Sequence, residues 1–184
     1  MSRDRIRWRL LCEDRVMESF FSRLGELVFG EGPRRIHVAP RGEGAAEEWV
    51  RKQYPSLAKT YRQFRHQNVA LLVAIDGDRA GVSGRKRELD EALVKANMSA
   101  RTSDDAIAVC VPTWSIETWI VWLCGWEGVT EIQPYKDSNE YTRARRKDEV
   151  SAKTAVARWT PVRTGEQDRV PSLTDARTEL RRMR

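Results

Sequence analysis

The chain has 184 residues, 40% apolar and 33% charged, which suits one ordinary soluble domain, and no run approaches the roughly 20 apolar residues of a membrane-spanning helix. Three scattered cysteines (Cys12, Cys110, Cys124) and two histidines exclude a disulfide framework, a CxxC zinc site and a His-rich metal site, so any metal must be held by carboxylates, the donors of hard ions such as Mg²⁺, Mn²⁺ or Ca²⁺. The net charge of +6 is uneven: Pro134 to Arg184 carries 13 Lys+Arg against 8 Asp+Glu and the rest 20 against 19, a basic surplus that suits either phosphate contacts or a solvated surface.

The first residues, MSRDRIRWRLLCEDR, lack the apolar core of a secretory signal, so a cytoplasmic location is expected. Arg5 to Cys12 alternates and then turns apolar, predicting a strand. Asp14 is placed to cap a helix to Val28, in which Val16, Phe20, Leu24, Leu27 and Val28 recur at helical spacing before Gly30 and Gly32 end it. Arg35 to Ala39 predicts a short strand, Gly42 to Gly44 a turn, and Ala45 to Phe64 a helix interrupted at Pro55. The continuously apolar Asn68 to Ile75 predicts a strand covered on both faces. A helix over Ser83 to Asn97, a strand over Ala106 to Val111 stopped by Pro112, and a helix from Ser115 to about Cys124 follow. Beyond Gly125 the pattern weakens. Gln133 to Lys147 reads as flexible, and Ser151 to Trp159 and Leu173 to Met183 as helices joined by a Pro/Gly/charge-rich link. Strands alternating with helices give an α/β class with a mostly parallel four-stranded sheet flanked by helices. The expected division is an α/β domain over 1–127 and a basic, partly helical extension over 128–184 packing on it.

Ligands of open α/β sheets gather at the carboxyl ends of the strands. Three acidic features are expected there: Glu13 after the first strand, Asp76 and Asp78 after the third, and Glu117 in the first turn of the helix after the fourth. Two carboxylates one residue apart point to the same side of an extended chain, and a cation relieves their repulsion. The alternative is a DG turn with Asp78 capping a helix. Glu117 also has a second reading, as an acid favoured by the helix dipole. Ser115 reads as a helix cap or as a phosphate ligand. Arg79 in the DGDRAG loop reads as a phosphate contact or as the ion-pair partner of a nearby carboxylate. Trp114, Trp119 and Trp122 can stack on bases, although Trp119 and Trp122, three apart on one helix, read better as core or as a dimer face.

The order strand–Glu13–helix followed by strand–Asp76-x-Asp78-x-x-Gly81 resembles the Toprim domain of topoisomerases, primases and the OLD-type and RNase M-type nucleases. The likeness covers roughly Arg5 to Gly125, and Val111 to Gly125 (VPTWSIETWIVWLCG) is similar to the corresponding helix of small RloB-like bacterial defence proteins. The resemblance implies a Toprim-like fold, Glu13 as a general acid/base, and Asp76 and Asp78 as ligands of Mg²⁺ or Mn²⁺. One departure is Asp14, where the family usually has Gly. OLD-type nucleases are similar in using a lysine beyond these motifs, for which Lys136 and Lys153 are the candidates. The basic residues Arg145, Arg146 and Lys147 then join Arg79 and Ser115 in holding nucleic acid. The expected function is a metal-dependent nuclease acting on RNA, such as tRNA, or on DNA, in bacterial anti-phage defence. The alternatives are a non-catalytic subunit that binds nucleic acid or docks on an ATPase partner, since the chain has no GxxxxGK[ST] loop of its own, and a receiver-like phosphotransfer domain. Topoisomerase and primase activities require further domains.

Overall fold

The computed structural model describes residues 6–42, 44–159 and 162–183. Four parallel strands, β1 (Arg7–Cys12), β2 (Arg35–Val38), β3 (Val69–Ala74) and β4 (Ile107–Cys110), form one sheet in the order β2-β1-β3-β4. Between them run α1 (Arg15–Phe29), α2 (Ala46–Gln63) and α3 (Gly81–Lys95). After β4 come α4 (Ile116–Leu123), α5 (Asn139–Arg146), α6 (Ala152–Ala157), α7 (Glu166–Arg169) and α8 (Pro171–Arg181). The expected α/β class and four-stranded parallel sheet are what the chain forms. Arg5, where the first strand was to begin, and Glu43, within the expected turn, lie outside the described residues.

Alternation along the strands sorts the core into two layers. Trp8, Leu10, Cys12, Leu72 and Cys110 face α1, α4, α6 and α8, meeting Phe20, Trp119, Trp159 and Leu173. Leu11, Leu71, Val73 and Val109 face α2 and α3, meeting Tyr54, Leu57, Leu89 and Leu93. Each large apolar side chain so buried contributes about 1.5–3 kcal/mol. Val129, Tyr141, Val156 and Leu180 belong to the first layer, so residues after 127 share the core of the sheet. Gly25 is required where α1 crosses β1: a Cβ there would lie 1.9 Å from the Trp8 indole.

Three expectations change. The break at Pro55 does not occur: Pro55 has no N–H to donate within α2, yet Tyr54, Leu57 and Ala58 bury the same helix face and carry it through. Gln133 to Lys147 is not wholly irregular, because Ser138 accepts from the Tyr141 N–H and starts α5, and Tyr141 and Ala144 anchor it. All eight residues of α4 are buried, so Trp119 and Trp122 pack inside the chain and offer no dimer face.

The free edge of β4 is closed by side chains rather than by another strand. The Val109 N–H donates to Glu179 Oε2 (3.1 Å), and the Ile107 carbonyl accepts from Arg101 Nη1 (2.9 Å). Arg101 and Lys86 (2.9 Å) both pair with Glu179. Against the effect of burial, the Arg101 guanidinium holds the Glu179 carboxyl down to about 2. Among the described residues, no helix is long and apolar enough to cross a membrane.

Candidate metal centre

β1 and β3 are neighbours, and the chain leaves them toward opposite faces of the sheet, through α1 and α3. Their carboxyl ends therefore open a crevice, the usual ligand position in such sheets. Glu13 follows β1 and Asp76 follows β3. The Asp76 N–H donates to Glu13 Oε1 (2.9 Å), and Asp76 Oδ1 accepts from the Ile116 N–H (3.0 Å) at the start of α4. The loops after β3 and β4 are joined by two more backbone bonds, Gly77 N to Pro112 O (2.8 Å) and Asp78 N to Trp114 O (3.1 Å). A Cβ on Gly77 would meet the Pro112 oxygen at 2.8 Å, so this approach needs glycine.

Glu13, Asp76 and Glu117 are all buried. Burial, and then Glu13 and Glu117, push the Asp76 carboxyl well above the usual carboxylate range. Burial raises Glu13 to about 7, with Asp78 adding to the push, while the Asp76 N–H and Arg85 oppose it. Among the described residues Glu117 Oε2 and Ser115 Oγ have no hydrogen-bond partner, although both residues are at least 96% buried. Orphaned buried oxygens of this kind call for a missing partner. Ser115 occupies the cap position of α4 without making a capping bond, so its hydroxyl is not spent on the helix.

Asp78 is placed differently from Asp76. Its backbone is left-handed (φ +43°), its side chain is 55% exposed, and its Oδ2 accepts from Arg85 Nη2 (3.1 Å). The two carboxylates thus diverge at the rim of the crevice instead of sharing one side of an extended strand. Arg85, not singled out by its sequence position, is buried and also donates to the Asp76 carbonyl (2.9 Å). The only signal for it was its place one turn into α3, where a long side chain can reach back to the preceding loop.

Lys136 lies 4.0 Å from Asp14 Oδ2. Burial opposes its charge, but Glu117, Asp76, Asp14 and Glu13 together hold its ammonium above the usual lysine value. Asp14 itself caps α1, accepting from the Val16 and Met17 N–H groups (both 2.9 Å). Tyr141 of α5 is a further neighbour that sequence reasoning missed: burial and then Glu117 push its phenol up to about 12. Lys153 is exposed on α6 and is not among the leading charges acting on these carboxylates. Arg79 is exposed and forms no ion pair among the described residues; Arg85 fills that role. Arg145, Arg146 and Lys147 are exposed at the end of α5, and Trp114 is half-buried, its indole N–H donating to the Glu131 carbonyl (3.1 Å).

Among the described residues, no three His, Cys, Asp or Glu side chains form a ready-made metal cage. The donor set nevertheless fits a hard divalent cation. Carboxylates raise one another's affinity for positive charge here, two buried oxygens lack partners among the described residues, and Mg²⁺ characteristically takes one or two carboxylates while keeping several waters. Compared with known proteins, the chain matches no family model, and neither a curated protein nor a solved structure is significantly similar to it.

Proposed function

We propose that the protein is a divalent-metal-dependent nuclease of Toprim type, hydrolysing phosphodiester bonds in RNA or DNA. The observation that carries this reading is the trio of buried carboxylates, Glu13, Asp76 and Glu117, with an orphaned Glu117 oxygen, Lys136 as the cation acting on Asp76 and Arg85 as the one acting on Glu13. Asp76 and Glu117 would hold Mg²⁺ or Mn²⁺, with Glu13 beside them and Asp78 at the rim. A bound ion supplies positive charge for the phosphoryl oxygens of the transition state. The chain's own groups do the rest. Glu13, raised to about 7, is matched to taking up and releasing a proton near neutral pH. Lys136 brings a cation toward the scissile phosphate. Arg85 fixes the Asp76–Asp78 loop from behind.

The test is incubation of the purified protein with labelled RNA and DNA in Mg²⁺ or Mn²⁺, beside Asp76→Asn. Cleavage by the wild type alone supports the reading; equal cleavage by both refutes the site. Metal-induced thermal stabilisation, lost in Asp76→Asn, is the readout independent of activity. A second reading is a non-catalytic nucleic-acid-binding subunit, one that can dock on an ATPase partner. The ion pair of Asp78 with Arg85 favours it by committing that carboxylate elsewhere. Binding of nucleic acid without cleavage in either metal would select it.

A further inference from the structure

A basic surface lies away from the carboxylates, on the other side of β1 and β2. The register pairs Arg9 with Arg35 and Leu11 with His37. Because Leu11 belongs to the α2/α3 layer, strand alternation puts Arg9, Arg35 and His37 on that same face. The helix α2 packs chiefly over β3 and β1, and Arg35 on β2 is exposed. Among the described residues neither Arg9 nor Arg35 has an ion pair; Arg9 instead lies over the Tyr61 ring, 5.8 Å from its centroid. The imidazole of His37 is held below its usual value by burial and then by Arg35 and Arg9, and among the described residues its Nε2 has no partner. Two guanidinium groups this close, uncompensated among the described residues and flanked by a neutral imidazole, are arranged for an anion.

An aromatic platform adjoins them. A cavity of about 210 Å³ is lined by Arg7, Arg9, Tyr61 and Phe64 at the end of α2. Phe64 is 44% exposed. At the other end of α2, Glu47 is close enough to act on Glu13, so the helix runs from the carboxylate edge to this cavity. Arg9 precedes Glu13 by four residues, about 13 Å along a strand.

We infer that the face of β1 and β2 that carries Arg9 and Arg35, with His37 beneath them and Phe64 at its end, is a track for single-stranded nucleic acid leading to the carboxylate edge. Arg9 and Arg35 take backbone phosphates, and Phe64 stacks a base. Uncompensated cations beside an exposed ring are the elements by which proteins hold single strands without reading sequence. The inference rests on the reading of the protein as one that acts on nucleic acid, and moves the main contact from Arg145, Arg146 and Lys147 to the sheet.

The test is fluorescence anisotropy of the full chain with a labelled single-stranded 12-mer in EDTA, at several salt concentrations. Arg35→Gln, an exposed residue with no ion pair, is expected to bind several-fold more weakly, with the slope of log affinity against log salt smaller by about 0.7. Arg9→Gln with Arg35→Gln should lower that slope by about 1.4. Phe64→Ala should cost about 5- to 150-fold and leave duplex binding unchanged. Wild-type affinity and slope in Arg35→Gln and in the double variant overturn the track. So does Phe64→Ala binding like the wild type while heparin competes equally with single strand, since the surface is then merely basic. If the wild type cleaves in an Asp76-dependent way while Arg35→Gln stays neutral, the track alone falls. If the wild type binds no nucleic acid, with or without metal, both readings fall.

Discussion

Replacing Glu13 by glutamine should stabilise the metal-free protein at alkaline pH. The rise of this carboxyl from 4.5 to about 7 is the folding cost of holding it ionised in the crevice, about 3 kcal/mol once the pH exceeds 7. Between pH 4.5 and 7 the folded chain keeps a proton that the unfolded chain has released, so stability falls as pH rises through that window. Glutamine carries no charge, and its amide oxygen can still accept from the Asp76 N–H, at a loss of about 1 kcal/mol for a neutral rather than charged acceptor. The net gain at pH 8 is therefore about 2 kcal/mol, against little change at pH 5. Urea unfolding followed by tryptophan fluorescence reads this directly, because Trp8, Trp119 and Trp122 are buried. With a urea dependence of roughly 2 kcal/mol/M, the midpoint should move up by about 1 M at pH 8. A variant less stable than the wild type at pH 8, or a difference that is the same at pH 5 and pH 8, would refute the reasoning.

The remaining predictions concern the other carboxylates and one glycine. Asp76→Asn should make the metal-free protein more stable, by relieving the repulsion with Glu13 and Glu117, and abolish stabilisation by Mg²⁺, which at 100 times its Kd is worth about 2.7 kcal/mol; thermal unfolding with and without metal measures both. Glu179→Ala leaves Arg101 buried and unpaired and should cost about 3–5 kcal/mol by urea unfolding. In the wild type the depressed Glu179 carboxyl contributes stability that is full above pH 4.5 and lost as pH falls toward about 2, so an acid titration of folding should show a transition there that Glu179→Gln lacks. Gly77→Ala drives a methyl into the Pro112 carbonyl and should cost about 1–3 kcal/mol while weakening metal stabilisation, since the two loops that place Asp76 and Glu117 must part.

The sheet was legible because its signals are local. An apolar run bounded by Asn68 and Asp76, and alternation in Trp8, Leu10 and Cys12, announce strands whatever lies around them. Strand ends follow from strands, so Glu13, Asp76 and Glu117 could be assigned to one edge before any coordinate was known. The divergence of Asp76 from Asp78 was not legible. It depends on a left-handed turn at Asp78 fixed by the Trp114 carbonyl, 36 residues further on, and on a guanidinium from α3. Lys136 could be named only as one of two lysines, because its approach to the carboxylates is set by how the segment before α5 folds back. That segment looked featureless, as its helix α5 rests on Ser138, Tyr141 and Ala144 rather than on a long periodic stripe.

The closure of the β4 edge has a consequence for how the chain is made. Glu179 supplies to Val109 the acceptor that a fifth strand would otherwise provide, from 70 residues further along the chain. During synthesis the four strands can pair as soon as β4 leaves the ribosome, but on its outer side only the Ile107 carbonyl can find its partner, Arg101, and the Val109 N–H stays open until α8 follows. In that interval the growing chain presents a sticky margin to any neighbouring extended segment. A ribosome stalled before α8 would hold a chain whose four strands are formed while its margin is open and the α8 side chains of the core, Leu173, Ala176 and Leu180, are still missing, prone to association on both counts.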